Sequence, residues 1–371
     1  MPFLYRLYPE HTLSIRQLRQ ALQLIVEKHQ SLRTCLIFNT EKNQLMQRII
    51  DLNQNNKQLF GFIKSTIDTN EQLNLIMHDE KRNSLLFDLT QGHVFRCHII
   101  QHKPIYSNDL LCDQDAIIFN FHHALFDFPS MEAFLCDLDQ AYSTGQLLTN
   151  DNSLLRYLDY AVIEQQMPMT ATSMFWYETL HNCKIDHILP LPFDRYRLSD
   201  EHRTGRVIAV SFDFDENLSQ AFLTYSSSNN ITAEQLALTC YYAFLFKLTN
   251  GENDLCIGMN THGRYKEELM SVIGMFVNAI PLLCQLDPHW SFHQLAEHVK
   301  EIFTTSLEYS YFPLQRILAQ HSNVTKPTFL ETSFYFLGYT SKTLKNEVMI
   351  GNVQLHTVPF SIKIDEDEIM S

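Results

Sequence analysis

Apolar positions in this chain follow two rhythms, one repeating every three to four residues and one of short unbroken runs, and the two alternate. Leu18, Leu22, Ile25 and Val26 share one face of a segment whose other face carries Arg16, Arg19, Gln20, Gln23 and Glu27, which predicts an amphipathic helix over Ser14 to Leu32. A strand follows at Thr34 to Phe38, then a helix at Asn70 to Ser84, a strand at His93 to Gln101 and a second strand reaching His122. Pro129 suits the first turn of a helix running to Tyr142, with Met131, Phe134, Leu135 and Leu138 on one face. Helices at Leu154 to Gln166 and Ser173 to Asn182 lead into a proline-bearing stretch, Ile188 to Asp194, that reads as a link. Beyond it the alternation repeats: a strand at Arg206 to Phe212, helices at Glu216 to Ser226 and Ala233 to Leu248, and strands at Asp254 to Met259 and Phe276 to Leu283. A helix at Phe292 to Leu307 and strands near Glu331 to Phe336 and Val353 to Val358 complete the series. The predicted class is mixed α/β in two lobes, each burying helices on one side of a sheet.

Composition narrows the picture. With 371 residues, 45% of them apolar, the chain is long enough for two packed cores. Acidic residues outnumber basic ones 42 to 28, and no Lys/Arg cluster is dense enough to track a phosphate backbone, so nucleic-acid binding is not expected. No apolar run approaches the roughly 18 residues of a membrane span, and the N-terminus has no leader pattern, which predicts a cytoplasmic protein without membrane attachment. The eight cysteines are scattered singly, indicating neither a zinc site nor a disulfide framework.

The candidate chemistry lies in Ile117-Ile118-Phe119-Asn120-Phe121-His122-His123-Ala124-Leu125-Phe126-Asp127, where an apolar strand ends in two histidines followed by an aspartate. Histidine is the side chain whose ordinary pKa allows it to take and return a proton near neutrality.

His122-His123-Ala124-Leu125-Phe126-Asp127-Phe128 is similar to the H-H-x-x-x-D-G signature of condensation domains of nonribosomal peptide synthetases, in the chloramphenicol acetyltransferase-like superfamily. Further segments resemble that family in the expected order. Glu27 to Thr34 is similar to R-H-E-x-L-R-T, and Phe87-Asp88-Leu89 with Gly92 and Arg96 resembles F-D-L-x-x-G-P-L-x-R. Tyr157 to Val162 resembles Y-x-D-Y-A-x-W, Phe175-Trp176 a later Y-W, and Leu191 to Arg195 the L-P-x-D-R linker. Ile273 to Leu282 resembles I-G-x-F-V-N-T-x-P-L. Tyr311 to Gln315 keeps only the proline of Q-D-x-P-F-E, and the late R-x-x-x-R-x-P-L element is not recognisable.

The resemblance implies a two-lobed chloramphenicol acetyltransferase-like α/β fold, each lobe a mixed sheet covered by helices, with the active site between the lobes. Residues 1–170 would form the N-terminal lobe and 171–371 the C-terminal lobe. The family's helix upstream of Pro2 to Leu18, and its strand and closing helix downstream of Pro359 to Ile369, are not matched.

The implied reaction joins the amine of an acceptor aminoacyl thioester to a donor acyl or peptidyl thioester, both carried on phosphopantetheine of partner carrier proteins. No directly bound cofactor or metal is implied; the partners are peptidyl or acyl carrier protein domains and adenylation domains of the same assembly line. His123 would hold the amine and accept its proton. Asp127 would form an ion pair with Arg33 that braces the loop, and His122 would be structural. Phe128 replaces the signature glycine, so either the loop takes an ordinary conformation with the ring aside or the ring narrows the substrate passage. Asn278 is a candidate for binding the substrate backbone or for a structural amide. Arg203 and Arg206 are candidate members of a local carrier-docking patch.

Relatives that form heterocycles replace the two histidines with aspartate, and epimerising relatives carry E-G-H-G-R where this chain has Asn260-Thr261-His262-Gly263-Arg264, without the acid. B-A-H-D type plant acyltransferases need a D-F-G-W-G element, which is missing here. Ester-forming acyltransferases use the same histidine, and a catalytically degenerate carrier-docking or scaffold protein is the non-enzymatic alternative.

Overall fold

In the computed structural model, residues 1–41, 43–52, 59–103, 109–147, 155–181, 183, 188–192, 210–321, 327–336 and 347–358 are described. In chain order the strands are β1 (Pro2–Leu7), β2 (Leu13–Ser14), β3 (Thr34–Asn39), β4 (Gln44–Ile49), β5 (Gly61–Ile67), β6 (Phe95–His102), β7 (Leu110–Leu111), β8 (Ala116–Phe121), β9 (Asp254–Thr261), β10 (Asn278–Gln285), β11 (Ser333–Phe334), β12 (Glu347–Ile350) and β13 (Val353–Thr357). The α-helices are α1 (Ile15–Lys28), α2 (Asn70–Arg82), α3 (Ser130–Thr144), α4 (Tyr157–Gln166), α5 (Thr170–Leu180), α6 (Glu216–Ser228), α7 (Ala233–Leu248), α8 (Phe292–Glu308) and α9 (Leu314–Ala319). The helix expected from Leu154 begins at Tyr157, and of the strand expected over Arg206 to Phe212 only Val210 to Phe212 are described; these three are irregular.

The chain forms two compact units. The first contains residues up to Met167, the segment Arg264–Phe276 and the β12–β13 hairpin; the second contains Pro168–Gly263 and most of the stretch after Val277. The first unit therefore includes two segments from beyond position 170, which sequence proximity had placed with the C-terminal lobe. The hairpin joins it through main-chain pairing, Tyr5 with Thr357 and Leu7 with Leu355.

The first unit is built on a six-stranded sheet of order β12-β13-β1-β8-β6-β5. Every residue of β8 is buried, so this central strand reads as an unbroken apolar run. Ile117, Phe119 and Phe121 pack with Leu18, Leu22 and Ile25 of α1 and Phe134 and Leu138 of α3. Ala116 and Ile118 pack with Leu73 and Met77 of α2, in a separate cluster on the opposite face. Helices thus cover both faces of this sheet rather than one, because a strand buried at every position exposes apolar surface on either side.

Under α2 the core holds a charged network. Glu80, 4% exposed, accepts hydrogen bonds from Arg96 Nη2 (2.9 Å) and Asn120 Nδ2 (2.7 Å) and lies 2.7 Å from His98 Nδ1. Burial pushes the Glu80 carboxyl upward, but its hydrogen bonds to His98 and Asn120 and the charge of Arg96 outweigh this and hold it below its ordinary value of 4.5.

The second unit carries a three-stranded sheet, β10-β9-β11, with β9 and β10 antiparallel over their full length and β11 parallel to β9. Capping boxes at Thr232/Gln235 and Ser291/Gln294 start α7 and α8. The Tyr242 hydroxyl donates to Leu282 O (2.9 Å) and Trp176 Nε1 to Tyr309 O (3.1 Å), satisfying the polar ends of two fully buried aromatic side chains. No helix among the described residues is long and apolar enough to cross a membrane.

Candidate active site

Beyond β8 the chain turns sharply, and the turn is set by one aromatic ring. Phe126 folds back so that its ring stacks on Phe121 at 3.7 Å between centroids and 7° between planes, while Phe121 stacks on Phe95 at 4.7 Å. The backbone follows: His122 N donates to Val94 O (2.8 Å) and Leu125 N to His122 O (3.1 Å). With Leu125, Phe126 and Asp127 drawn inward, His123 and Ala124 are left exposed at the apex.

The ring environments assign opposite tautomers to the two histidines. His123 Nδ1 lies 3.0 Å from Phe126 O, and a carbonyl can only accept, so Nδ1 carries the proton and Nε2 of the neutral ring has a lone pair. His123 Nε2 makes no hydrogen bond among the described residues. His122 Nδ1 instead accepts from Ala124 N (3.2 Å), and its ring meets Phe87 edge-on at 5.5 Å. Burial lowers the His122 pKa below its ordinary 6.5, fitting a neutral structural residue.

Asp127 is fully buried and paired, but not with Arg33. Arg264 Nη1 donates to Asp127 Oδ2 (2.7 Å) and Arg264 Nη2 to Oδ1 (2.9 Å), with neither side chain exposed. Asp127 Oδ1 also accepts from Ser130 N (3.0 Å) and the Ser130 hydroxyl (2.6 Å), and Oδ2 from Phe276 N (2.9 Å). The ion pair expected between Asp127 and Arg33 is therefore corrected to Asp127 and Arg264. Arg33 instead donates to three carbonyls, Val26 O (3.1 Å), Ile50 O (2.6 Å) and Glu27 O (3.2 Å), tying the end of α1 to the segment after β4. In the sequence Arg264 stands out only as the end of the His262-Gly263-Arg264 triplet, which does not by itself name its partner. A bidentate guanidinium matches a carboxylate better than lysine could.

The segment bearing Arg264 is itself held tightly. The Arg264 guanidinium sits 4.4 Å from the Phe276 ring centroid, Ser31 Oγ donates to Ile273 O (2.8 Å) and Gly274 N donates to Ser130 Oγ (3.1 Å). A Cβ at Gly274 would lie 2.2 Å from the Tyr157 ring, which explains the glycine in this motif. Gly92 has a φ of +71° and faces Ile50 and Cys35, so the glycine of the Phe87-Asp88-Leu89 motif meets both a conformational and a steric demand.

Phe128 takes the first of its two expected outcomes as regards the backbone: it is not among the described non-glycine residues with positive φ. Its ring is 61% exposed and sits 6.0 Å from Phe3, which belongs to β1. Asn278 lies in the second unit, where Nδ2 donates to Ser310 O (2.8 Å) and Phe312 O (2.7 Å), and Oδ1 accepts from Leu314 N (3.1 Å). Both amide hydrogens are used on the chain itself, as in a structural amide. Arg203 and Arg206 lie outside the described residues.

Acid weakens this unit through two of its side chains. His122 favours its neutral form when folded, so the unfolded chain takes up a proton the folded one resists, and stability falls as pH drops below about 6.5. Glu80 adds stability that is present above its ordinary 4.5 and is lost as pH falls through its lower folded value. Urea midpoints measured from pH 7.5 to 3.5 are expected to fall in two stages, the upper stage reduced in His122→Asn but kept in part by the Met1 amine, His298 and His321, whose pKa values burial also lowers.

The strand-end histidine with a locked tautomer thus shares its loop with one member of a buried Asp127–Arg264 pair on an α/β scaffold. The condensation domain family matches residues 5–367, and the chain belongs to that family. It is 24% identical to the polyketide synthase-nonribosomal peptide synthetase hybrid himA of Aspergillus japonicus, over 98% of this chain and 9% of that protein. The chain thus spans under a tenth of the length of that curated relative. Among solved structures, a four-domain nonribosomal peptide synthetase bound to AMP and glycine matches with a TM-score of 0.76 and 20% identity, over 97% of this chain and 27% of that one. The X-domain in a complex with OxyB from teicoplanin biosynthesis matches with a TM-score of 0.74 and 20% identity, over 98% and 76%.

Proposed function

We propose that this chain forms an amide between a donor acyl or peptidyl thioester and the amine of an acceptor aminoacyl thioester, both held on phosphopantetheine arms of carrier protein domains. The carriers and the adenylation domains that load them are its partners. One observation carries the reading: Nδ1 of His123 is occupied by Phe126 O while the ring is exposed, so Nε2 is presented as a hydrogen-bond acceptor.

The acceptor amine meets that nitrogen. An α-ammonium has a pKa of roughly 7.7 to 8.0, so about a tenth is already neutral near pH 7, and deprotonating the rest is worth only about 1 kcal/mol. Orienting two tethered reactants is worth roughly 7 to 11 kcal/mol, so positioning is the larger part of catalysis. His123 Nε2 accepts the amine N–H, aligns the nitrogen lone pair with the thioester carbon and takes the proton as the tetrahedral species forms. Collapse breaks the C–S bond, and the proton leaves with the thiol.

The test is a reconstituted assay with an acyl-loaded donor carrier and an aminoacyl-loaded acceptor carrier. Mass spectrometry of the acceptor should show the amide product. A second reading, docking without chemistry, is favoured by Phe128, exposed at the signature glycine, and by the X-domain relative's complex with a partner enzyme. Carrier binding without product in the wild type, with product gained in Phe128→Gly, would replace the first reading with the second.

A further inference from the structure

Within the first unit, three side chains from three elements, Ser65 of β5, His98 of β6 and Glu80 of α2, are linked in a chain of hydrogen bonds. His98 Nε2 lies 2.9 Å from the Ser65 hydroxyl, and His98 Nδ1 lies 2.7 Å from Glu80 Oε1. An ionised carboxylate can only accept, so Nδ1 carries the ring proton and Nε2 of the neutral ring accepts from Ser65 Oγ–H. Glu80 is fixed in turn by Arg96 and by Asn120, whose Nδ2 also donates to Glu80 O (2.7 Å). His98 and Glu80 are buried, whereas Ser65 on β5 is only half-buried, so the hydroxyl is the member of the trio nearest to solvent.

The strand supplies a donor beside that hydroxyl. β5 is the last strand at its edge of the sheet among the described residues, and it pairs in parallel with β6, Ser65 opposite Ile100. Lys103 N donates to Ile67 O (3.0 Å), so Ile67 and Ser65 turn their backbone polar groups toward β6 and Thr66 turns its N–H the other way. An N–H on the residue following a serine nucleophile is a recurrent oxyanion donor. From this arrangement we infer that Ser65, His98 and Glu80 form a second acyl-transfer site, one that hydrolyses activated acyl esters or thioesters through an acyl-Ser65 intermediate.

The chemistry balances without further reagents except water. Ser65 Oγ attacks the carbonyl carbon as its proton passes to His98 Nε2. The C–O or C–S bond breaks, and His98 returns the proton to the departing alcohol or thiol. Water then attacks the acyl-serine, giving its proton to His98, and the acid and the free hydroxyl are restored. Glu80 is a positioning residue that holds the ring's tautomer.

The probes are a rhodamine fluorophosphonate, with the modified peptide mapped by mass spectrometry, and p-nitrophenyl acetate hydrolysis. The folded full chain should carry the phosphonyl adduct on Ser65, and Ser65→Ala, a small change whose fold is checked by circular dichroism, should lose it. His98→Gln should slow both labelling and hydrolysis by roughly 100-fold or more. The inference is overturned by the absence of a Ser65 adduct on the folded wild type, by equal labelling of urea-unfolded protein, or by unchanged ester hydrolysis in Ser65→Ala. None of these readouts depends on carrier proteins, so failure here leaves the condensation reading intact.

Discussion

Arg264→Gln is expected to destabilise the protein by about 3 to 5 kcal/mol, the range for removing one member of a buried ion pair and leaving the other charge behind. The abandoned group is Asp127, which is wholly inaccessible to solvent. Its remaining donors, the Ser130 N–H and hydroxyl and the Phe276 N–H, do not neutralise its charge. Denaturant unfolding of wild type, Arg264→Gln, Asp127→Asn and the double variant measures the coupling directly; the double variant should recover a large part of the loss. Arg33→Gln gives the contrast. It removes hydrogen bonds to three neutral carbonyls and strands no buried carboxylate, since Asp51, whose charge acts on it, is exposed and Glu27 is only half-buried, so roughly 1 to 3 kcal/mol is expected. Equal losses at positions 33 and 264, or strong coupling of Arg33 with Asp127, would contradict the observed pairing.

His123→Ala is expected to reduce amide formation at least about 100-fold while leaving the fold nearly untouched. The lower bound reflects the usual contribution of a positioned general base, to which the lost alignment of the amine adds. Stability should change by no more than about 0.5 kcal/mol, because the ring is exposed and its one hydrogen bond among the described residues is to Phe126 O. His123→Gln separates the two contributions: its amide can still accept a hydrogen bond but cannot take up a proton at neutral pH, so it should lie between wild type and alanine. The comparison is single-turnover product formation on the acceptor carrier. An alanine variant as fast as wild type would remove His123 from the reaction.

Much of the arrangement was legible in the sequence because it depends on local periodicity. The helical face of Leu18, Leu22, Ile25 and Val26 buries as predicted, and the apolar run into His122 is the central strand of its sheet. β1, β4 and β5 were not foreseen. In β4 five of six residues are exposed, and in β5 only Ile67 is buried, so neither gives a strong alternation to read. β1 is as long as β8 but mixes buried and half-buried positions, and its claim to be a strand rests on pairing with β8 and β13, more than a hundred and more than three hundred residues away.

The amino-acid sequence by itself determined the type of most helices and of the buried central strands, the strand-end position of His122 and His123, and the motifs that mark the family, since all of these are written in neighbouring residues. Only the tertiary structure decided which arginine meets Asp127, which tautomer His123 adopts, and which serine and glutamate flank His98. Each depends on where a distant backbone atom or charge comes to rest once the core has closed. An arginine at position 33 and one at position 264 look alike in a linear text; burial beside one carboxylate, with no water left to solvate it, selects between them.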